Sequence, residues 1–267
     1  MKIAICYNPK KADKAYDNIV ARFKELLVDE KIEYVDLDKS KIEQVDLIAV
    51  LGGDGTILAN AQYATENNIP ILAINVGTVG FLSSYEEKDL EDAVKTISSA
   101  NFKLNEKTAL LVVTNDGDEF FALNDAVIER KKITDDYTVV SKLDFAIDGN
   151  SVYKLSADGI IISTPTGSTA YSLSAGGVIL TPDLHSFIAT PICSHSLYTR
   201  PIVFRDDKEI SVTIMKNSCS SVLSIDGRGV KKLKQGDKIT VKKHPKTLKI
   251  VDCGEDFFNR LIRKLGK

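Results

Sequence analysis

Six consecutive residues, Leu51-Gly52-Gly53-Asp54-Gly55-Thr56, combine three glycines with one carboxylate and one hydroxyl. Glycine lacks a Cβ, so its backbone can come very close to a ligand and can take positive φ. The run lies between an apolar segment, Leu47-Ile48-Ala49-Val50, and a helical pattern from Ile57 to Tyr63. A strand-to-helix turn of this kind offers free N–H groups and the positive end of a helix dipole, which suit phosphate. Gly52, Gly53, Gly55 and Thr56 are the candidate phosphate contacts. Asp54 is the odd member, because a carboxylate repels phosphate; it either handles a metal ion or takes a proton. The run has neither the Lys of GxxxxGK[ST] nor the GxGxxG spacing. Taken alone, its Gly and Asp are also what a tight turn uses.

A second stretch, Ser163-Thr164-Pro165-Thr166-Gly167-Ser168-Thr169-Ala170-Tyr171-Ser172-Leu173-Ser174, carries seven hydroxyl side chains of Ser and Thr. It follows the apolar run Gly159-Ile160-Ile161-Ile162 and Asp158. Hydroxyls on a loop fixed by Pro and Gly can donate and accept to sugar, amide and phosphate. Turn capping accounts for two or three such hydroxyls, so the number present exceeds what capping needs. A third pair, Asn124-Asp125, ends a strand with an amide beside a carboxylate; by itself it is a common turn pair.

Composition narrows the chemistry. The chain has 267 residues and a formal net charge of −2, which gives no general attraction to nucleic acid or anionic lipid. No apolar run reaches the roughly 18 residues of a membrane span. Four scattered cysteines (Cys6, Cys193, Cys219, Cys253) and three scattered histidines make neither a disulfide framework nor a zinc site, and point to a reducing cytoplasm. Nucleic acid and membrane are therefore not expected partners.

The elements that must position these groups follow from periodicity. Lys2–Tyr7, Ile32–Val35, Leu47–Leu51 and Ile71–Ile74 read as strands. Between and after them lie helices from Ala12 to Leu27, from the glycine turn to about Glu66, and from Lys88 to Ser99. That alternation predicts a parallel sheet covered by helices, a Rossmann-like α/β unit. After Asn101 the rhythm changes to short strands and turns: Thr108–Thr114 and Glu119–Leu123 around Asn115–Asp118, then Thr138–Ile147 and Ser151–Leu155 around Asp148-Gly149-Asn150. Gly159–Ser163, Ile202–Phe204, Glu209–Met215, Ser220–Ile225, Ile239–Lys243 and Thr247–Val251 follow. This pattern predicts an all-β, sandwich-like domain. Glu255–Leu265 is an amphipathic helix expected to pack back on the body. The domain boundaries are read as 1–100, 101–252 and 253–267.

The glycine turn, Asn75-Val76-Gly77 with Gly80-Phe81-Leu82, Asn124-Asp125, Asp158-Gly159 and the Ser163–Tyr171 run stand in the order found in the bacterial NAD kinases. The chain resembles that family over nearly its whole length, to the Asp226-Gly227 turn and beyond. The resemblance implies a fold shared with phosphofructokinases and the transfer of the terminal phosphoryl group of ATP to the 2′-hydroxyl of the adenosine ribose of NAD. It implies that Asp54 is the base for that hydroxyl, and that the turn glycines bring N–H groups to the phosphates of ATP. Asn124, Asp125, Asp158, Thr166, Thr169, Ala170, Tyr171 and Ser174 would surround NAD, with Phe81 beside the adenine end and Asp54 and Gly55 adjoining. Mg²⁺ would arrive with ATP, and the enzyme would be a homodimer or homotetramer. Three positions depart from many relatives: Asn60 and Thr78, where those often carry basic or larger residues, and Cys193, where they often carry a small Ala. Cys193 is placed with the NAD-binding set and read as a packed small residue. A diacylglycerol-type lipid kinase shares GGDGT but not the hydroxyl run. A non-catalytic NAD(P) sensor would have no need of Asp54.

Overall fold

The structure, a computed structural model, describes residues 1–7, 14–39, 44–77, 80–130 and 140–266. It forms two compact units, Met1–Lys107 with Lys246–Lys267, and Thr108–Pro245.

In the first unit, β1 (Lys2–Tyr7), α1 (Lys14–Asp29), β2 (Glu33–Asp36), β3 (Leu47–Leu51), α2 (Asp54–Glu66), β4 (Ile71–Asn75), β5 (Tyr85–Glu86), α3 (Leu90–Ser98) and β6 (Leu104–Lys107) follow in order. β1 pairs in parallel with both β2 and β3, and β3 with β4. All five residues of β3 and of β4 are buried, which explains their unbroken apolar runs: a parallel strand covered on both faces has no polar side. The helices bury the stripes expected of them, Tyr16, Ile19, Val20, Phe23 and Leu27 on α1 and Leu90, Ala93, Val94 and Ile97 on α3. The Asn8-Pro9 break and the start of the first helix at Ala12 lie outside the described residues.

The second unit consists of β7 (Leu110–Thr114), β8 (Glu119–Ala122), β9 (Asp125–Arg130), β10 (Ser141–Ile147), β11 (Asn150–Ala157), β12 (Gly159–Ser163), the short α4 (Tyr171–Ser174), β13 (Ser186–Ile192), β14 (Ile202–Arg205), β15 (Ile210–Ile214), β16 (Ser221–Ile225), β17 (Arg228–Leu233) and β18 (Lys238–Lys243). The strands make two antiparallel sheets, β11-β10-β15-β18-β7-β8 and β14-β13-β12-β9-β16-β17. One core draws from both, with Val112, Leu143, Phe145, Val212 and Ile239 against Ile128, Ile160, Ile162, Phe187 and Leu223. This is a sandwich. The β10–β11 hairpin turns at Asp148 (φ 49°) and Gly149 (φ 78°), the paired positive φ values of the turn that matches strand twist.

The chain then returns to the first unit as β19 (Leu248–Val251) and α5 (Phe257–Leu265). β19 lies between β4, in parallel, and β6, antiparallel. Sequence patterning grouped it with the strands of the sandwich; the period of a strand does not tell which sheet will receive it. β13 escaped the sequence reading because Pro191 interrupts it. The structure accommodates that proline where β13 has a neighbour on one side only: Pro191 lies opposite Ile160, and β14 pairs no further than Ala189.

Candidate functional site

Each unit carries one group of the sequence-predicted residues. In the first, β3 ends at Leu51, whose carbonyl accepts the Tyr16 hydroxyl at 2.7 Å. A Cβ on Gly52 would lie 2.6 Å from Thr56 Oγ1, so this glycine is required by the turn's own packing. Gly53 and Gly55 differ: a Cβ on either would meet nothing within 4 Å. Packing does not demand glycine there, whereas a ligand held against the backbone would. Asp54 begins α2, and its carboxylate is gripped by the second glycine loop. Oδ2 accepts the Phe81 N–H at 2.9 Å and Oδ1 the Leu82 N–H at 3.2 Å. Gly80 makes this possible, since a Cβ there would stand 2.0 Å from Asp54 Oδ1. The structure therefore joins Asp54 and Phe81, some 27 residues apart in sequence. Asn60 is interior, 2% exposed, and its amide donates to Thr56 O at 2.8 Å and Cys6 Sγ at 3.1 Å. A charged side chain at this position would have no solvent to reach. Thr78 lies outside the described residues.

In the second unit, the Ser163–Ser174 run leaves β12, folds through a 3₁₀ turn at Thr166–Thr169 and enters α4. Its hydroxyls divide by burial. Ser163, Thr164, Ser168 and Ser172 are 0% exposed and bonded inside the unit. Thr164 Oγ1 donates to Leu123 O at 2.6 Å; Ser168 Oγ donates to Pro165 O at 2.7 Å and accepts from Leu180 N at 3.0 Å; Ser172 Oγ meets Thr190 Oγ1 at 2.8 Å. More of the run is structural than its hydroxyl count suggested. Thr166, Thr169 and Ser174 remain accessible together with Ala170 and Tyr171, and these are the members of the run that the family resemblance selects. Gly167 packs on the Asn124 carbonyl, which a Cβ would approach to 2.1 Å, and that same carbonyl accepts the Thr164 N–H at 2.9 Å. The hydroxyl run and Asn124-Asp125 are thus one construction.

Its carboxylates have distinct environments. Asp125 is 3% exposed; burial first, and then the charge of Asp226, push it up to about 7. Asp226, with φ 46°, was missed as a site residue. Its carboxylate accepts the N–H groups of Leu123, Asn124 and Asp125 at 2.9, 2.8 and 3.1 Å. Burial raises its pKa against the pull of those three donors. The Asp-Gly pair was the available signal, since a non-glycine residue in the left-handed region usually has a local reason to be there. Asp158 is half-buried and pairs with Arg130 Nε at 3.2 Å. The Tyr171 phenol is raised by partial burial and then by the charge of Glu129. Cys193 is exposed, at φ 45°, which corrects the expectation of a packed small residue: it turns the chain out of β13 instead of filling the core.

Comparison with known proteins agrees with both halves of the chain. Residues 6–102 match the ATP-NAD kinase N-terminal domain and residues 123–253 the ATP-NAD kinase C-terminal domain. The NAD kinase of Heliobacterium modesticaldum is 37% identical over 85% of this chain and 80% of its own length. That of Chloroherpeton thalassium is 40% identical over 83% and 78%. The yeast NADH kinase complexed with NADH superposes with a TM-score of 0.87 at 28% identity, covering 99% of this chain and 87% of the other. An NAD kinase from Archaeoglobus fulgidus in complex with ATP gives 0.79 at 26%, covering 100% and 98%. With both domain models matched in order and relatives above a third identical over most of their length, this chain belongs to the NAD kinase family.

Proposed function

We propose that this protein is an NAD kinase that transfers the terminal phosphoryl group of ATP to the 2′-hydroxyl of the adenosine ribose of NAD, forming NADP and ADP. The observation that carries the reading is the carboxylate of Asp54, fixed by two backbone N–H groups at the start of α2, in a chain whose two halves both match this family. A carboxylate within hydrogen-bond reach of a hydroxyl can accept its proton as that oxygen attacks phosphorus. The new O–P bond forms as the bond from the terminal phosphorus to the ADP oxygen breaks. Much of the catalysis lies in alignment and charge neutralisation. Gly53 and Gly55, open on the Cβ side, and the N-terminus of α2 suit the donor's phosphates. Asn124, Asp125, Asp158, Thr166, Thr169, Ala170, Tyr171, Ser174 and Cys193 are proposed for the dinucleotide, and Phe81 for its adenine end.

Among the described residues, no group of three or more His, Cys, Asp or Glu side chains is placed to hold a metal ion. Mg²⁺ is read as part of the Mg–ATP substrate, where it offsets phosphate charge. We further propose a cytoplasmic homo-oligomer. Four unpaired cysteines accord with a reducing compartment. The exposed apolar side chains Phe258 and Ile262 on α5 and Leu197 and Tyr198 in the second unit accord with assembly.

The test is NADP formation from NAD and Mg–ATP by wild type and Asp54→Ala. Wild type should produce NADP and Asp54→Ala should be at least a hundredfold slower. No NADP from wild type ends the kinase reading. Full activity in Asp54→Ala ends the assignment of the base.

A further inference from the structure

We infer that Arg260, on the C-terminal helix, is a positioning residue for the Asp54 carboxylate and acts through the peptide that joins Phe81 to Leu82. Arg260 Nη1 donates to Phe81 O at 2.9 Å. Phe81 C=O and Leu82 N–H are opposite ends of one planar peptide group, and that N–H is the donor to Asp54 Oδ1 at 3.2 Å. The order is guanidinium, peptide, carboxylate. A cation on the carbonyl polarises the peptide and strengthens the hydrogen bond that the N–H at its far end donates. It also fixes the plane of the peptide, and with it the direction in which Asp54 is held.

Arg260 is built for this task. Its Nε donates to Glu255 Oε2 at 3.0 Å, and its side chain is 16% exposed. The helix that carries it is not held by a buried apolar face: α5 has no buried residue, and Phe258 and Ile262 are 56% and 68% exposed. Polar contacts hold it instead. Arg263 bonds Glu86 Oε1 at 2.5 Å and Glu255 Oε1 at 3.0 Å, and Asp256 caps the first turn through Phe258 N and Asn259 N. Lys264 Nζ lies 4.6 Å from the Phe81 ring centroid, a second tie from α5 to the same loop. On the receiving side, Gly80 lets the loop lie directly on Asp54, so the placement of the 81–82 peptide passes straight to the carboxylate.

The inference rests on Asp54 being the base, and its test separates the two claims. Arg260→Ala should lower kcat about ten- to a hundredfold, the order expected for a displaced catalytic group. KM for NAD and for ATP should stay within threefold. Arg260→Lys, which keeps a cation, should recover part of the loss. The double variant Asp54→Ala/Arg260→Ala should be no slower than Asp54→Ala, because a positioning residue has nothing left to position. Arg263→Ala, which loosens the same helix but keeps the Arg260 guanidinium, should lower kcat by less than Arg260→Ala does. Amide exchange at Leu82, which needs no activity, should quicken in Arg260→Ala. A kcat within twofold of wild type, losses that multiply in the double variant, or unchanged exchange at Leu82 overturns the inference. If Arg260→Ala does not fold, Arg260→Lys and Arg260→Gln carry the same comparison. If wild type forms no NADP, the kinase reading falls, while the Leu82 amide still decides whether Arg260 sets the peptide.

Discussion

Asp125 and the buried hydroxyls show how far a side chain's type can mislead about its work. Asp125 is nearly fully buried beside Asp226, and its pKa rises from an ordinary carboxylate value to about 7. A raised folded-state value means that its neutral form supports the fold. That contribution is whole below about pH 4, the unfolded value, and is lost as the pH rises through about 7. Asp125→Asn cannot ionise. Urea unfolding should therefore find wild type losing stability relative to Asp125→Asn between about pH 4 and 7, by up to about 1.4 kcal/mol per pH unit; parallel curves would refute the assignment. The hydroxyl run gives a second contrast. Ser168→Ala leaves Leu180 N without its partner in the interior and should cost about 1–3 kcal/mol of stability. Ser174→Ala, at an exposed position, should change stability by less than about 0.5 kcal/mol and, on the proposed function, raise KM for NAD. Sequence could list the seven hydroxyls but could not divide them. Burial depends on Leu123, Asn124, Leu180 and Thr190 coming together, and periodicity within one segment carries no record of that.

At the scale of elements, the glycine turn was legible because its constraints are local. An apolar strand, a Gly-rich turn and a helix with its acid at the first position are set by neighbours in sequence. The grip of the Phe81 and Leu82 amides on Asp54 was not legible, since backbone donors have no residue type to read. Asp226 was hidden for the same reason: it acts on three N–H groups roughly a hundred residues away. The two open glycines of the turn give an element-level prediction whose stability and activity signs differ. Gly55 lies inside α2, where a Cβ meets nothing within 4 Å. Gly55→Ala should therefore leave stability unchanged or raise it by up to about 1 kcal/mol, since alanine favours a helix over glycine by about that amount. On the proposed function it should raise KM for ATP, because the added methyl stands where phosphate would meet the backbone. Thermal melts with donor titrations measure both. A Gly55→Ala protein that is less stable, or one with unchanged KM for ATP, would refute the reading of that glycine.

At the scale of the whole molecule, the order of the chain makes one unit depend on a distant segment. Every strand of the sandwich finds its partners within Thr108–Pro245. The α/β unit is discontinuous. β19 lies between β4 and β6, and among the described residues β6 has no other strand partner. Without residues 246–267, β6 would lose its ladder, the buried strand β4 would expose its edge at Ile71, and Val251 would leave the core. An exposed edge on a buried, apolar strand invites aggregation. Residues 108–245 expressed alone should thus unfold cooperatively, with the near-UV signal of a packed core. Residues 1–107 alone should aggregate or lack a cooperative transition. Residues 1–107 joined by a short linker to 246–267 should recover one, since that fusion restores the sheet order without the sandwich. If 1–107 folds unaided, the returning strand is an accessory to the sheet; if the fusion fails while 108–245 folds, the α/β unit depends on more than its own strands.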